Sequence, residues 1–263
     1  MKNTSYILSL AVLLMTSACS KDENLTDGFP EKNVCVAFTA QADCIIDEAT
    51  RATATEGDKP ERFFAQAVDR DGNKTETVAG VKNEGTETYS FSLKLYPYEE
   101  YDIMFWADNA GGEVPKNLEA VAYEPGKVAF AARVSGKPES MDKNVKLKYV
   151  VTKVTLVSTV DIMGMMNLKM DIPTGTAYDV MNGTVVGTVG NAYFSKNIGE
   201  EGIAAGVEVV SGYVLPTQEN RVVTIKNETD SKQMEVGGLK FSSNSHVTLK
   251  GNLSESNSAW KPI

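Results

Sequence analysis

The residue best placed for covalent chemistry is Cys19, a thiol that follows small residues at the end of an apolar leader. Lys2 precedes an apolar run from Tyr6 to Met15. This is the pattern of a secretory signal peptide, and it is too short to span a membrane as a helix. Cleavage behind Ala18 would leave Cys19 as an N-terminal residue open to acylation, and two or more acyl chains give stable anchoring. We therefore predict a lipoprotein signal peptide over residues 1–18 and a membrane anchor, palmitate included, on Cys19.

Residues 19–32 are polar and poor in apolar side chains, which predicts a tether between the anchor and the first strand. Within it, the acidic stretch from Ser20 to Asn24 resembles a tag that exports lipoproteins to the outer face of the outer membrane. A plain solvated tether explains the same residues equally well. The predicted location is the outer membrane, at the cell surface, and the alternative is a secreted protein in which Cys19 is removed or idle.

A second chemical site is the peptide bond between Arg51 and Ala52. It lies in a Thr- and Ala-rich stretch with Gly57 and Pro60 close behind, which predicts an exposed loop of the kind that proteases cut. A trypsin-like cut there would separate the preceding strand from the rest of the chain. An ordinary loop arginine is the alternative.

The sequence offers little for catalysis or metal binding. His246 is the single histidine and lies in a strand pattern, so it has no histidine partner for a zinc site or a nucleophile–base pair. Asp69, Asp71 and Asn73 alternate like calcium ligands, but the glycine comes too early and the closing glutamate is missing, which favours a plain turn. We predict no enzyme activity, no cofactor and no metal.

Two further sets of residues leave alternatives open. Tyr98, Tyr101 and Trp106 could stack on sugar rings as a ligand contact, although alternating aromatic residues more often form a core. Cys35 and Cys44 could form a disulfide in an oxidising compartment, or could be two separate thiols.

Charge and length narrow the partners and the architecture. The net charge of −9 argues against nucleic acid, which requires a basic patch to replace counterions. The 263 residues suffice for one large or two small domains, at roughly 150 residues per domain. A pair of sandwich domains fits that length.

Short alternating or β-branched runs separated by turn residues predict an all-β sandwich fold. Tyr89–Leu95 and Tyr101–Asp108 are predicted to form a hairpin, and Lys146–Val160 a single strand buried on both faces that opens a second domain. The predicted boundaries are residues 33–145 and 146–263. The other predicted strands are Val34–Ala40, Phe63–Val68 with an Asp71-Gly72 turn after it, Leu168–Ile172, Tyr178–Met181, Val185–Val189, Val207–Leu215, Arg221–Lys226, Gln233–Val236 and His246–Leu253.

With these features in place, the chain resembles the fimbrillin-like family of surface lipoproteins, which are related to type V pilus subunits. The resemblance covers the whole chain and rests on loose motifs in a fixed order. These are the leader ending at Cys19, Thr50–Thr53, Tyr101–Ala107, Val150–Leu156, Tyr178–Gly183 and Val247–Leu253.

The resemblance implies two tandem β-sandwich domains of transthyretin-like topology. It also implies that an arginine-specific protease removes the N-terminal strand and that a strand of another subunit fills the groove. Arg51 matches the processing position, Val34, Val36 and Phe38 would be the groove-filling residues, and Val247–Leu253 would be the donor strand.

Two functional hypotheses follow. The first is a non-enzymatic surface lipoprotein, a pilus subunit or adhesin that associates with like subunits by strand exchange. The second is a monomeric surface protein that binds host or bacterial glycans or other ligands. They differ in whether Tyr98, Tyr101 and Trp106 face the solvent.

Overall fold

The computed structural model describes residues 33–46, 52–53, 58–253 and 261–262. Every regular element in these ranges is a β-strand, which confirms the all-β prediction. The first half of the chain contains β1 (Val34–Ala42), β2 (Ile45–Ile46), β3 (Ala52–Thr53), β4 (Arg62–Asp69), β5 (Val78–Ala79), β6 (Val81–Lys82), β7 (Tyr89–Leu95), β8 (Tyr101–Asp108), β9 (Val121–Ala122), β10 (Ala129–Gly136) and β11 (Asn144–Tyr149).

The second half has fewer and longer strands. They are β12 (Thr152–Ser158), β13 (Met166–Asp179), β14 (Thr184–Ile198), β15 (Glu208–Val214), β16 (Arg221–Asn227), β17 (Lys232–Leu239), β18 (Ser245–Gly251) and β19 (Lys261–Pro262).

In the first half, the strands follow the order β5-β4-β8-β10-β11-β1-β7-β6 and fold over one core. Strand β11 joins the two faces: its first residues pair in parallel with β1, and its end pairs with β10. Aromatic rings fill the space between the faces, because Phe38 on β1 and Phe91 on β7 both meet Phe105 on β8 edge to face.

The second half has two sheets, β15-β12-β18-β19 and β14-β13-β16-β17, around an aliphatic core that includes Leu156, Met170, Ile225 and Leu249. The hairpin of β13 and β14 extends from the second half to the first, where β9 pairs with the end of β13. There Tyr178 packs against Trp106, with ring centroids 5.8 Å apart, so the end of β13 belongs to the core of the first half.

Two predictions about strand pairing were wrong. β7 and β8 exist where expected, but they are not a hairpin: β7 pairs with β1 and β6, whereas β8 lies between β4 and β10. The turn from Tyr96 to Glu100 therefore carries the chain from one face of the first half to the other. β7 alternates because only one of its faces lies on the core, whereas in β8 every residue except Asp102 is buried.

The run Lys146–Val160 is two strands and not one. β11 ends at Tyr149 in the first half, and β12 starts at Thr152 in the second. The predicted boundary between residues 145 and 146 falls inside β11. Likewise, Leu168–Ile172 and Tyr178–Met181 belong mostly to the single strand β13, which a bulge bends between Gly175 and Ala177.

Candidate functional site

The strand β1 presents one apolar row to the core. Val36, Phe38 and Ala40 are buried, while Cys35, Ala37 and Gln41 on the opposite face are exposed. This period-two burial is that of a strand with one wet face. Val34, predicted to share the apolar row, is 40% exposed because it lies at the start of the strand.

Both edges of β1 are hydrogen-bonded. β7 pairs with it antiparallel from Val34 to Ala40, and β11 pairs with it in parallel from Thr39 to Ala42. We call the space between β7 and β11 that this strand occupies the β1 slot. Without an occupant, the slot would expose two rows of unpaired backbone groups, which favours pairing with another strand.

The floor of the β1 slot is apolar and aromatic. The ring of Phe38 lies 5.7 Å from the ring of Phe105 at an interplanar angle of 63°. Leu93, Leu147 and Phe91 are also buried in this core. Full burial of a phenylalanine side chain stabilises by roughly 1.5–3 kcal/mol, so an occupant needs an apolar row of matching spacing.

The chain leaves the slot through a short hairpin. After Asp43 and Cys44, β2 pairs antiparallel with β3, with Ile46 opposite Ala52. Arg51, the predicted cleavage residue, lies outside the described residues, but the backbone of Ala52 on its C-terminal side is described as part of β3. A cut between them would fall in the connection that holds β1 to the rest of the first half.

The mouth of the slot opens into a cleft of about 530 Å³ beside the end of β1, lined in part by Cys44, Lys59, Phe63, Tyr89 and Lys146. Burial raises the pKa of the Cys44 thiol, and the positive charge of Lys59 opposes that shift. The thiol is therefore held in its neutral form, which is less nucleophilic than a thiolate.

Cys35 and Cys44 are both free thiols, so the disulfide considered from the sequence is not formed. The reason is the length of β1, which separates them. At about 3.3 Å per residue, the seven steps from Cys35 to Ala42 alone span roughly 23 Å. A disulfide requires Cα atoms within about 7 Å.

The predicted anchor residues Ala18 and Cys19 lie outside the described residues. Within the described ranges, we find no helix with the length and apolar character needed to cross a membrane.

The prediction of an aromatic ligand contact is wrong for two of its three residues. Trp106 is 1% exposed and donates its ring N–H to Asp108, and Tyr101 is 7% exposed. Burial raises the pKa of Tyr101 to about 12. Only Tyr98 is exposed, because it lies in the turn between the faces whereas the other two belong to the fully covered strand β8.

The remaining polar candidates are structural. His246 is exposed on β18, as predicted, and its ring contacts the hydroxyl of Thr155 at 2.9 Å. Asp69 accepts hydrogen bonds from the backbone N–H groups of Asp71 and Asn73, which makes the suspected calcium loop a closed turn. The described residues include no group of three or more acidic, histidine or cysteine side chains that could hold a metal ion.

Sequence reasoning missed the half of the slot that β11 supplies. Val145, Leu147 and Tyr149 alternate with exposed residues and are buried. Their period-two pattern is visible in the sequence, but it merges with the β-branched run that continues to Val160, so the sequence does not show that a strand ends at Tyr149.

No protein-family model matches the chain, and no curated protein matches it by sequence. Solved structures do match. The C-terminally truncated tip fimbrial protein Mfa3 from Porphyromonas gingivalis is 13% identical, with a TM-score of 0.52 over 88% of this chain and 98% of that one. A fimbrial assembly protein from Parabacteroides distasonis is 12% identical, with a TM-score of 0.50 over 88% and 95%. A candidate adhesin from Bacteroides ovatus is 12% identical, with a TM-score of 0.50 over 87% and 95%.

These similarities extend over nearly the whole of each chain. They confirm, at the level of the fold, the resemblance to fimbrillin-like proteins that the sequence motifs predicted.

Proposed function

We propose that this protein is a surface lipoprotein of the fimbrillin type, a pilus subunit or adhesin that accepts a strand from a like subunit in its β1 slot. Cys19 would carry the lipid anchor in the outer membrane, residues 19–32 the tether, and the two halves would act as two β-sandwich domains. The domain boundary would lie between Tyr149 and Thr152, where the chain changes sheets. This role needs no catalytic group.

The observation that carries the proposal is the position of β1. It is the first described strand, it fills a two-sided slot, and it buries only one row of side chains. Its connection to the rest of the chain contains the Arg51–Ala52 bond. After a cut there, β1 would be held without a covalent link, and an incoming strand of similar pattern could replace it. The proposal is supported by the similarity in fold to a tip fimbrial protein and a fimbrial assembly protein.

The structure alters one part of the expected mechanism. Val247–Leu253, predicted as the donor, overlaps β18, an internal strand that pairs with β12 along its whole length and with β19 on its other side. Leu249 and Leu253 are buried in the second core. Donating this strand would dismantle that core, so we assign the chain the acceptor role and place the donor strand on another subunit.

The test is strand replacement after controlled cleavage. The full chain is cut with an arginine-specific protease, and intact mass follows the loss of the segment that ends at Arg51. A synthetic peptide with the sequence Val34–Ala42 should bind the cut chain, whereas the same peptide with Phe38→Asp should not, because a charge would enter the apolar floor. Uncut Arg51→Ala protein is the control and should bind neither peptide.

A fully cut chain that retains its N-terminal segment against excess peptide, and stays monomeric at high concentration, would contradict the proposal. The anchor is tested separately by intact mass of the protein from its native membrane. A lipidated Cys19 supports the anchor, and a chain that starts at Ala52 shows that the arginine site is used.

The second hypothesis, a glycan-binding surface formed by aromatic side chains, loses its platform. Trp106 and Tyr101 are core residues, so of the three predicted ligand contacts only Tyr98 is exposed.

A further inference from the structure

The strand β14 is the longest edge strand in the part of the chain that the structure describes. It runs for 15 residues, pairs with β13 along one side and has no strand partner on the other. From Val189 to Ile198 its register with β13 is unbroken. A long, regular and unpaired edge is a template for another strand, and proteins usually protect such edges with charges, prolines or bulges.

The backbone groups that face outward can be assigned from β13. The carbonyl of Asn167 accepts a hydrogen bond from Glu228, and its N–H donates to Thr229, so Asn167 points toward β16. Backbone direction alternates along a strand, so the even-numbered residues of β13 point toward β14. They pair with even-numbered residues of β14, as Met170 does with Phe194.

The odd-numbered residues of β14 therefore direct their N–H and C=O groups away from the sheet. These residues are Val189, Asn191, Tyr193, Ser195 and Asn197, and all five side chains are exposed. None is charged and none is proline. These five residues, the outward row of β14, therefore lack the charges and prolines that usually protect a free sheet edge.

Other sheet edges in the described ranges are shorter or better protected. β5 and β6 have two residues each. β17 carries Lys232 and Glu235 and is interrupted near Gly238, which has a positive φ. The outer side of β15 already accepts a hydrogen bond from Gly126 at Tyr213.

We propose that the β14 edge binds the same edge of a second copy of this chain, antiparallel and about a two-fold axis at Tyr193. The two sheets would then form one continuous sheet across the dimer. This contact is lateral and independent of the β1 slot.

Geometry and charge favour a second copy as the occupant. In an antiparallel pair, outward-facing residues must oppose outward-facing residues. Centring on Tyr193 satisfies this for the whole outward row, because Val189 then faces Asn197 and Asn191 faces Ser195. A two-fold contact of this kind closes on itself and cannot grow into a fibre.

The one charge in β14 does not oppose its own copy. Lys196 would face Gly190, about six residues from the second Lys196, or roughly 20 Å. This exceeds the screening length of about 10 Å at 0.1 M salt. The ring of Tyr193 lies over the ammonium of Lys169 at 4.4 Å, on the face of the sheet, so the ring belongs to the sheet face and not to its edge.

The first experiment uses proline to remove one outward N–H. The full chain carries Arg51→Ala so that the β1 slot stays filled, and its mass in solution is measured by light scattering over a concentration series. Ser195→Pro should weaken dimer formation by at least about tenfold, because two hydrogen bonds per dimer are lost. Ser195→Ala keeps the N–H and should dimerise as the parent does.

Proline on an edge strand is tolerated where its nitrogen faces solvent, and this is verified by an unchanged melting temperature of the variant at a concentration where the parent is also monomeric. A parent chain that is monomeric throughout, or a folded Ser195→Pro variant that dimerises like Ser195→Ala, would overturn the proposal.

A second experiment does not depend on the proline variant and tests the register. In a chain with Cys19→Ser, Cys35→Ser and Cys44→Ser, Tyr193→Cys should form an intermolecular disulfide under mild oxidation, because the two positions are directly opposed. Val189→Cys is the matched control, since it would lie roughly 27 Å from its copy and should not cross-link. Equal cross-linking at the two positions, or none at Tyr193→Cys, would contradict the proposed pairing.

Discussion

β1 and β12 occupy equivalent places in the two halves of the molecule, yet they are held differently. Each lies between an antiparallel neighbour, β7 or β15, and a parallel one, β11 or β18. β1 buries alternate residues and leaves its other face exposed to solvent. In β12 every residue except Lys153 is buried.

Side-chain hydrogen bonds hold both faces of β12. Thr152, on the same face as Val154 and Leu156, donates to the carbonyl of Ser242, and Thr155 on the opposite face contacts His246. Removing β12 would expose these polar groups as well as three apolar residues, Val154, Leu156 and Val157. Removing β1 would expose only one row of apolar side chains. The strand in this topological position is therefore easier to replace in the first half, where it is β1, than in the second half, where it is β12.

The largest effect is expected for Phe38→Ala. Truncating a buried phenylalanine leaves a cavity and should lower the free energy of unfolding of the uncut chain by about 3–5 kcal/mol, measured by denaturant titration. The exposed neighbour Gln41→Ala should change it by less than about 0.5 kcal/mol. After cleavage at Arg51, wild-type Val34–Ala42 peptide should restore the lost stability.

Leu156→Ala should be nearly as costly, about 2–5 kcal/mol, because its side chain is fully buried in the second core. The difference from β1 lies in the rescue. No added peptide should restore stability, since β12 is continuous with the chain on both sides. Recovery with a Thr152–Ser158 peptide would contradict the distinction between the two strands.

A smaller effect is expected at two glycines beside these strands. A Cβ at Gly80 would lie 2.7 Å from the ring of Phe91, which is buried opposite Phe38. Gly80→Ala should therefore cost about 1–3 kcal/mol through overpacking. Gly212→Ala would meet Phe194, which is only half-buried and can move outward. Thermal melts should show the larger loss for Gly80→Ala, and the reverse order would mean that the first core is the looser one.

The smallest effect on stability is expected at Asp69, which belongs to neither β1 nor β12. Hydrogen bonds, first from the Asn73 side chain, hold the pKa of Asp69 below its usual value. A lowered folded-state pKa contributes stability above the unfolded pKa, and this contribution is lost as pH falls through the folded pKa. Asp69→Asn should therefore narrow the stability difference between neutral and acidic pH slightly, with no effect on β1 exchange. An unchanged acid titration would show that the turn does not depend on the ionised carboxylate.

Local patterns predicted most of the strands. Phe63–Val68, Tyr89–Leu95 and Tyr101–Asp108 all appear, and Gly72 has the positive φ that its turn requires. Their partners were not predictable in the same way. β7 and β8 look like a hairpin because two apolar runs are separated by a short turn, but such runs show only where strands lie and say nothing about which strand lies alongside.

The features of the candidate site also fall into two groups, those that the sequence shows and those that it does not. The apolar row of β1 and the Arg51–Ala52 bond are visible in the sequence. The β1 slot is not, because Leu93 and Leu147 come from strands far apart along the chain. The sequence leaves Trp106 open between a ligand contact and a core residue, and the packing of Tyr178 from β13 against its ring decides for the core.

The sequence by itself determined the all-β class, the places of the strands and the turns between them. These depend on side-chain periodicity and on residues with special backbone angles, which act over a few positions. Only the tertiary structure decided which strands are neighbours, which rows are buried and which edges stay open. Strand pairing is made by hydrogen bonds between distant segments, and burial depends on what packs against each face.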